Sequence, residues 1–498
     1  MIDKERYKVI NGNSLEILDT FEENSIDACI TDPPYGLTSI TKRFGKPNSA
    51  PAQQGKDGSF ARLSKGFMGK EWDGSGIEYN IDFRSKVYRA LKPGAYLLAF
   101  GGTRTFHRIA CAIEDAGFEI RDTIMRLYGS GFPKSFNIGL AIDKKNGVES
   151  EIVGINKSVQ DLKEVGKITG HKMTFAQEGT ENCARKDVPF LKAKNERNGW
   201  GTALKPAYEP IIVARKPVEK SVAENVLKYS VGGINIDECR VPLESDYKAP
   251  KRSIESQNNN NARKGQTQCD LGGKGENAGA SDLGRFPANV ILTYDETDFD
   301  EVCGGMPNTT SAETKNDARE NKGNSMFIDG VHNPENSYND SGNASRYFYC
   351  AKASKKDRDS GLIEFENKLF HRTRPDANEE KPTGLNKESR FAPILRKNTH
   401  PTVKPVELMQ YLVRLVCPKG ATILDPFNGS GSTGKAVAFE NREKDMDYKY
   451  IGIELDADYC KISEGRIDYA LNKYEYDMVE DIKEMEKTGQ LSLFDYDI

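Results

Sequence analysis

From residue 1 to about 145, apolar runs bounded by glycine and proline alternate with segments of helical period, the texture of an α/β sheet. Residues 25–31, 94–100 and 118–128 read as strands. Between them, 84–91 reads as a helix that stops at Lys92-Pro93-Gly94, and 105–116 sets Phe106, Ile109, Ala110 and Ile113 on one helical face before ending at Gly117. The same texture returns near 400. Pro405 opens a helix over 406–416, followed by a strand at 421–424, a glycine turn, a helix at 433–441 and a strand at 448–453.

The stretches between these blocks have another character. Residues 38–76 are rich in Gly, Lys and Ser, and 245–285 contain four consecutive asparagines at 258–261, compositions that bury too little apolar surface to fold alone and read as loops. The final segment, 471–498, carries eight acids against three lysines and reads as a helix with an acidic tail.

With 498 residues, 37% hydrophobic and 29% charged, the chain can bury a full-sized core and still carry such excursions. A net charge of -4 means that any nucleic-acid surface has to be a local patch, and 185–220, with nine Lys/Arg against four acids, is one candidate; a merely solvated face is the other reading. Nine cysteines fall singly, without a Cys-x-x-Cys pair, which points to a reducing compartment and no structural zinc. The five histidines form no metal-like cluster. The charged N-terminus and the absence of any apolar run near ~18 residues give the expectation of a cytoplasmic protein without a membrane span.

Two strand-turn segments carry chemistry. Asp32-Pro33-Pro34-Tyr35 follows a strand, where open α/β sheets place their ligands. A carboxylate at Asp32 and the carbonyl of Pro33 can accept the two N–H bonds of an exocyclic base amine, sharpening a nitrogen whose lone pair is otherwise delocalised. Consecutive prolines fix the turn, and Tyr35 offers a flat ring to an extruded base. The plainer reading is a strand-ending turn with a buried tyrosine. The second segment runs from Leu424 through Asp425, Phe427, Gly429, Gly431 and Ser432 to Gly434, strand into glycine turn into helix, with Glu454 ending the next strand, where an acid can grip a ribose diol. Gly429-x-x-x-x-Gly434-Lys435 nearly completes a nucleotide P-loop, but Ala436 stands where Ser or Thr should hold magnesium.

Together these segments resemble the β-group amino-methyltransferases of DNA, with further matches to a phage and prophage subset at 201–210, 235–237, 286–289 and 349–352. Asp425-Pro426-Phe427-x-Gly429-x-Gly431 is similar to the family's cofactor motif, His400-Pro401-Thr402-Val403-Lys404-Pro405 to the element packing on the cofactor's methionine end, and Asn11-Gly12-Asn13-Ser14-Leu15 to the segment reaching its adenine, where the family usually has Asp in place of Asn13. The resemblance implies a Rossmann-like class I methyltransferase fold, circularly permuted, with a mostly parallel seven-stranded sheet, one reversed strand and large insertions. It implies S-adenosylmethionine as cofactor, held by Asn13, Thr402, Lys404, Asp425, Phe427, Gly429, Gly431, Ser432 and Glu454, and no metal. Double-stranded DNA is the implied partner, with Asp32, Pro33, Pro34 and Tyr35 acting on a flipped base by direct displacement. Aspartate at position 32 favours adenine N6 over cytosine N4, and a C5 mechanism lacks its Pro-Cys pair.

The expected division is a catalytic half at 1–145, an insertion with the last core strand at 146–217, a target-recognition region at 218–395, a cofactor half at 396–470 and the acidic tail at 471–498. Gln490-Leu491-Ser492-Leu493-Phe494 resembles a bacterial sliding-clamp peptide, and docking of this apolar end on the chain itself is the alternative. These resemblances place the protein on bacterial DNA, in the nucleoid, in a restriction-modification or phage setting. The rival readings are a P-loop NTPase and a non-catalytic DNA- or clamp-binding module.

Overall fold

The computed structural model describes residues 3, 5–35, 76–129, 135–156, 188–242, 284–294, 303, 306–310, 341–352, 355–366, 368–370, 394–474 and 476. In chain order the strands are β1 (Tyr7–Asn11), β2 (Ile26–Thr31), β3 (Leu91–Phe100), β4 (Glu119–Tyr128), β5 (Glu151–Asn156), β6 (Val188–Lys192), β7 (Tyr208–Arg215), β8 (Val290–Tyr294), β9 (Asn308–Thr310), β10 (Ser341–Asn343), β11 (Tyr349–Lys352), β12 (Lys368–Phe370), β13 (Ile394–Arg396), β14 (Thr422–Asp425) and β15 (Lys449–Glu454). The helices are α1 (Ser14–Ile17), α2 (Ile81–Ala90), α3 (Phe106–Asp115), α4 (Ile138–Lys145), α5 (Val222–Tyr229), α6 (Lys355–Asp359), α7 (Val406–Val416), α8 (Ser432–Lys444) and α9 (Ala457–Leu471).

Nine strands make the main sheet, in the order β1-β15-β14-β2-β3-β7-β4-β8-β11. β7 lies antiparallel between β3 and β4, and the other neighbours are parallel, so the expected single reversed strand is present. The expected count of seven is corrected to nine. β8 and β11 come from the region assigned to target recognition, and they pair beyond β4, whose outer edge would otherwise expose unpaired N–H and C=O groups.

Every residue of β2 is buried, as befits a strand covered on both faces. Ala28 and Ile30 pack towards α7 and α8, while Cys29 packs towards α2 and α3, so the period of two splits one strand between two cores. Lys92-Pro93-Gly94 was expected to be a stop, and α2 does end at Ala90; β3 nonetheless begins at Leu91. The pairing with β2 jumps from Ile26↔Leu91 to Ala28↔Tyr96, and the bulge is held by Asn225 Nδ2, which donates to Pro93 O at 2.9 Å. The polar segment after Asn441 continues α8 to Lys444 and ends at Asp445 with φ 52°.

Between β4 and β7 the chain makes a small lobe of α4 and the antiparallel β5–β6 pair. The basic excess at 185–220 is partly dismantled by the fold: Arg215 is buried and bonded to Glu119 at 2.8 Å, and Lys216 donates to the carbonyls of Tyr88 and Leu91. Most of 38–76 and 245–285, and the peptide at 490–494, lie outside the described residues. No helix among the described residues is long and apolar enough to cross a membrane.

Candidate active site

Because β14 pairs with β2, the turns after these two strands lie side by side although they are nearly four hundred residues apart in the chain. Thr31 Oγ1 donates to Asp425 Oδ1 at 2.7 Å and ties them together. At this edge, where β1, β2, β14 and β15 all end, opens a cavity of about 780 Å³, a volume suited to a nucleoside-sized ligand with room beside it. Asp32, Pro33, Pro34, Tyr35, Asn13, Thr402, Lys404, Asp425, Phe427, Gly429, Ser432 and Glu454 all line it.

Gly431 does not line the cavity. It sits behind the turn at φ +74°, where an added Cβ would stand 2.2 Å from Ser463 Oγ of α9, so its smallness and left-handed backbone shape the turn. Asp425 is buried and takes hydrogen bonds from Thr31, from Thr433 Oγ1 at 2.7 Å and from Phe427 N at 3.1 Å; burial pushes its carboxyl up to about 6 against those bonds. Glu454 accepts from Gly429 N at 2.7 Å and Asp456 N at 2.9 Å, which fixes its carboxylate at the strand end, and Phe427 is braced by the Phe83 ring at 5.1 Å. Asn13 caps α1 by accepting from Leu15 N at 3.1 Å. His400 is kept neutral, with burial lowering its pKa to about 3, and its ring stands edge-on to Tyr459 at 4.8 Å.

The Asp32 end is built from charges. Lys404 Nζ donates to Asp32 Oδ2 at 2.7 Å and to the Tyr35 hydroxyl at 3.0 Å, and stands 3.3 Å from Glu209 Oε1. The Tyr35 hydroxyl lies between Asp32 Oδ1, at 2.9 Å, and Glu209, to which it makes a short hydrogen bond. Arg126 donates to Glu209 Oε2 at 2.7 Å. Two carboxylates thus share one ammonium and one phenol, and Glu209 has a guanidinium besides.

Burial raises Asp32, and the Glu209 charge adds to the rise while Lys404 opposes it. Burial would raise Glu209 as well, but Lys404 and Arg126 outweigh it and hold that carboxyl at about 2. Burial would lower Lys404, yet the two carboxylates raise it. Between the two acids, Glu209 is the fixed anion because Arg126 serves it alone, which leaves Asp32 the more basic.

Glu209 and Arg126 were not singled out from the sequence, although a glutamate in Tyr208-Glu209-Pro210, at the mouth of an otherwise apolar strand, is the kind of signal that marks one. Lys404, expected at the cofactor's methionine end, lines the cavity with its ammonium on Asp32. The P-loop reading fails on geometry. Lys435 is buried against Asp357 Oδ1 and Ser360 Oγ, each at 2.6 Å, and does not line the cavity; a Cβ on Gly434 would sit 2.6 Å from the Tyr450 ring, so that glycine serves helix–strand packing. Among the described residues no group of three His, Cys, Asp or Glu is arranged to hold a metal ion.

The chain is similar to the Type II methyltransferase M.HindIII of Haemophilus influenzae, 23% identical over 244 residues covering 46% of this chain and 64% of that protein. It is also similar to the DNA adenine methyltransferase YhdJ of Escherichia coli, 36% identical over 93 residues covering 19% of this chain and 29% of that one. The chain therefore covers less than two thirds of the length of these relatives. Among solved structures, the cytosine-N4-specific PvuII DNA methyltransferase is 11% identical and aligns with 94% of this chain and 93% of its own at a TM-score of 0.34. A DNA methylase family model matches residues 26–465, and the chain belongs to that family.

Proposed function

We propose that this protein transfers a methyl group from S-adenosylmethionine to N6 of adenine in double-stranded DNA. The observation that carries the reading is the single cavity in which Asp32 and Tyr35 stand beside the Phe427 turn and Glu454. Of the residues lining it, Phe427, Gly429, Glu454 and Asn13 are assigned to the cofactor's nucleoside and Asp32 and Tyr35 to the base. The bound cofactor supplies the activated methyl group.

The chain's residues prepare the acceptor. Asp32 and the Pro33 carbonyl accept the amine's N–H bonds, and the nitrogen, cationic once methylated, sheds one proton along the Asp32 hydrogen bond. An ordinary carboxylate is a poor proton acceptor; burial makes Asp32 a better one, while the Lys404 charge opposes the rise. The Tyr35 hydroxyl is held by Glu209 and Lys404, which fixes its ring for stacking on a base out of the duplex. The order of the chain, with the Asp32 strand ahead of the glycine-turn strand, supports the permuted β-group arrangement. Target recognition is assigned to what remains of 218–395 outside β8 and β11.

The test is transfer of labelled methyl from S-adenosylmethionine to unmodified duplex DNA of broad sequence, followed by nucleoside analysis. N6-methyladenine is expected, formed about 10²–10⁴-fold more slowly with Asp32→Ala. N4-methylcytosine would overturn the choice of base, and unlabelled DNA in every duplex would overturn the function.

A further inference from the structure

The lobe between β4 and β7 stands at the active edge of the sheet. β4 runs in the direction of β2 and β14, and Leu127 near its end is the register partner of Tyr208 at the start of β7. The chain therefore leaves and rejoins the sheet on the side where Asp32 lies. Inside the lobe the buried Asp143 takes hydrogen bonds from Asn195 Nδ2 at 2.6 Å, Lys194 N at 2.8 Å and Ser150 Oγ at 3.2 Å.

Outside, the lobe breaks the usual rule for surfaces. Leu204 is 92% exposed, Phe136 61% and Trp200 55%. Single exposed apolar residues are ordinary, but six among the described residues of one small lobe, counting Val148, Val153 and Leu191, are not. The first three sit on braced backbone: Phe136 N donates to Thr202 Oγ1, Thr202 N to Ser135 Oγ and Ile138 N to Trp200 O, each at 3.0 Å. The Arg197 guanidinium lies 4.5 Å from the Trp200 ring centroid, and Lys144, Lys145, Lys192 and Lys194 are exposed on the same lobe with Glu149, Glu151 and Glu196, five cations against three acids. Apolar tips on a lobe with a basic excess fit a polyanion whose interior is a stack of flat bases, and apolar wedges between base steps are a known means of opening a duplex.

The geometry points to this lobe as a docking surface for duplex DNA, with Leu204 as a wedge entering the stack beside the nucleotide delivered to Asp32. The inference rests on the proposed DNA methylation. Leu204 precedes Glu209 of the cavity wall by five residues, which keeps their Cα atoms within roughly 18 Å even for fully extended chain. A second copy docked on the same face would bring two like basic excesses together, which disfavours that occupant.

The chain has two tryptophans, Trp72 and Trp200, so full-length Trp72→Phe reports on the lobe through one indole. Titration with unmodified duplex DNA is expected to quench Trp200 emission and shield it from acrylamide, with a midpoint matching the DNA dependence of methylation. Leu204→Ala is expected to raise KM for DNA by about tenfold or more with cofactor affinity and Tm unchanged, and Leu204→Phe to restore it. If DNA is methylated normally by Leu204→Ala and Trp200 does not respond, the lobe is not the surface and the methylation reading stands. If the parent chain methylates no DNA, both fall. A Trp200 response that follows protein concentration without DNA identifies a second copy as the occupant and overturns the proposal.

Discussion

The two ends of the cavity are made in opposite ways. The Phe427 end is one uninterrupted segment, a strand, a turn and the first turn of α8, with Glu454 from the neighbouring strand, and its contacts are backbone groups and rings. The Asp32 end gathers positions 32, 35, 126, 209 and 404 from separate elements and holds them by charge. Shape at one end tolerates small displacements. Paired charge at the other does not, because a buried ion without its partner costs far more than a lost contact.

The largest effect should come from removing the acid at the charged end. Asp32→Ala should lower kcat by about 10²–10⁴-fold, and cofactor affinity, measured by calorimetry, should stay near that of the parent because the other end is intact. A single-turnover rate within tenfold of the parent would move the chemistry away from this carboxylate. Lys404→Met comes next. It takes from Asp32 its ion pair and leaves Glu209 with Arg126, and the expected loss is about 3–5 kcal/mol of stability, read from denaturant unfolding. A variant as stable as the parent would show that the network does not depend on its shared ammonium.

Gly431→Ala attacks the other end and should cost less. Its φ of +74° and the 2.2 Å approach to Ser463 Oγ force the turn to shift, at about 1–3 kcal/mol. Since Gly431 stands behind the cavity, the expected signature is weaker cofactor binding with kcat nearly kept at saturating cofactor, the reverse of Asp32→Ala. Equal losses in both parameters would erase the distinction between the two ends.

This division also explains what could be read in advance. The Asp32-Pro33-Pro34-Tyr35 and Asp425–Gly434 turns are local, since a strand, a glycine or proline turn and a helix start are written within a dozen consecutive residues, and the structure places both on one cavity. The helix at Val406–Val416 was legible because its apolar face repeats at helical period. Glu209 and Arg126 become partners only because β7 inserts antiparallel between β3 and β4, which sets Arg126 opposite Glu209 in register, a pairing no short window contains. The same limit hid β8 and β11: short apolar strands flanked by polar chain carry no mark of which sheet they will join. The ion pairs of Lys404 were hidden for a related reason. Its motif fixes the backbone position, but a long flexible ammonium goes to the nearest buried carboxylates, and those lie on β7 and after β2.

The smallest expected effect is a displacement of the pH profile, and it separates the two carboxylates by sign. On the proposed mechanism turnover needs Asp32 ionised, so the rate should fall as pH drops through its pKa, which burial and the Glu209 charge raise above the ordinary 3.8 while Lys404 pulls it down. Removing Lys404 takes away the lowering influence, so Lys404→Met should move the acid limb to higher pH. Glu209→Gln removes a neighbouring negative charge and leaves Lys404 to Asp32 alone, so its acid limb should move to lower pH, although both substitutions disturb the same network. Glu209 itself, held at about 2 by Lys404 and Arg126, stays ionised throughout and adds no limb of its own. Profiles of kcat at saturating DNA and cofactor for the parent and the two variants decide the matter: limbs displaced in the same direction would mean that Glu209 acts on the reaction through packing and not through its charge.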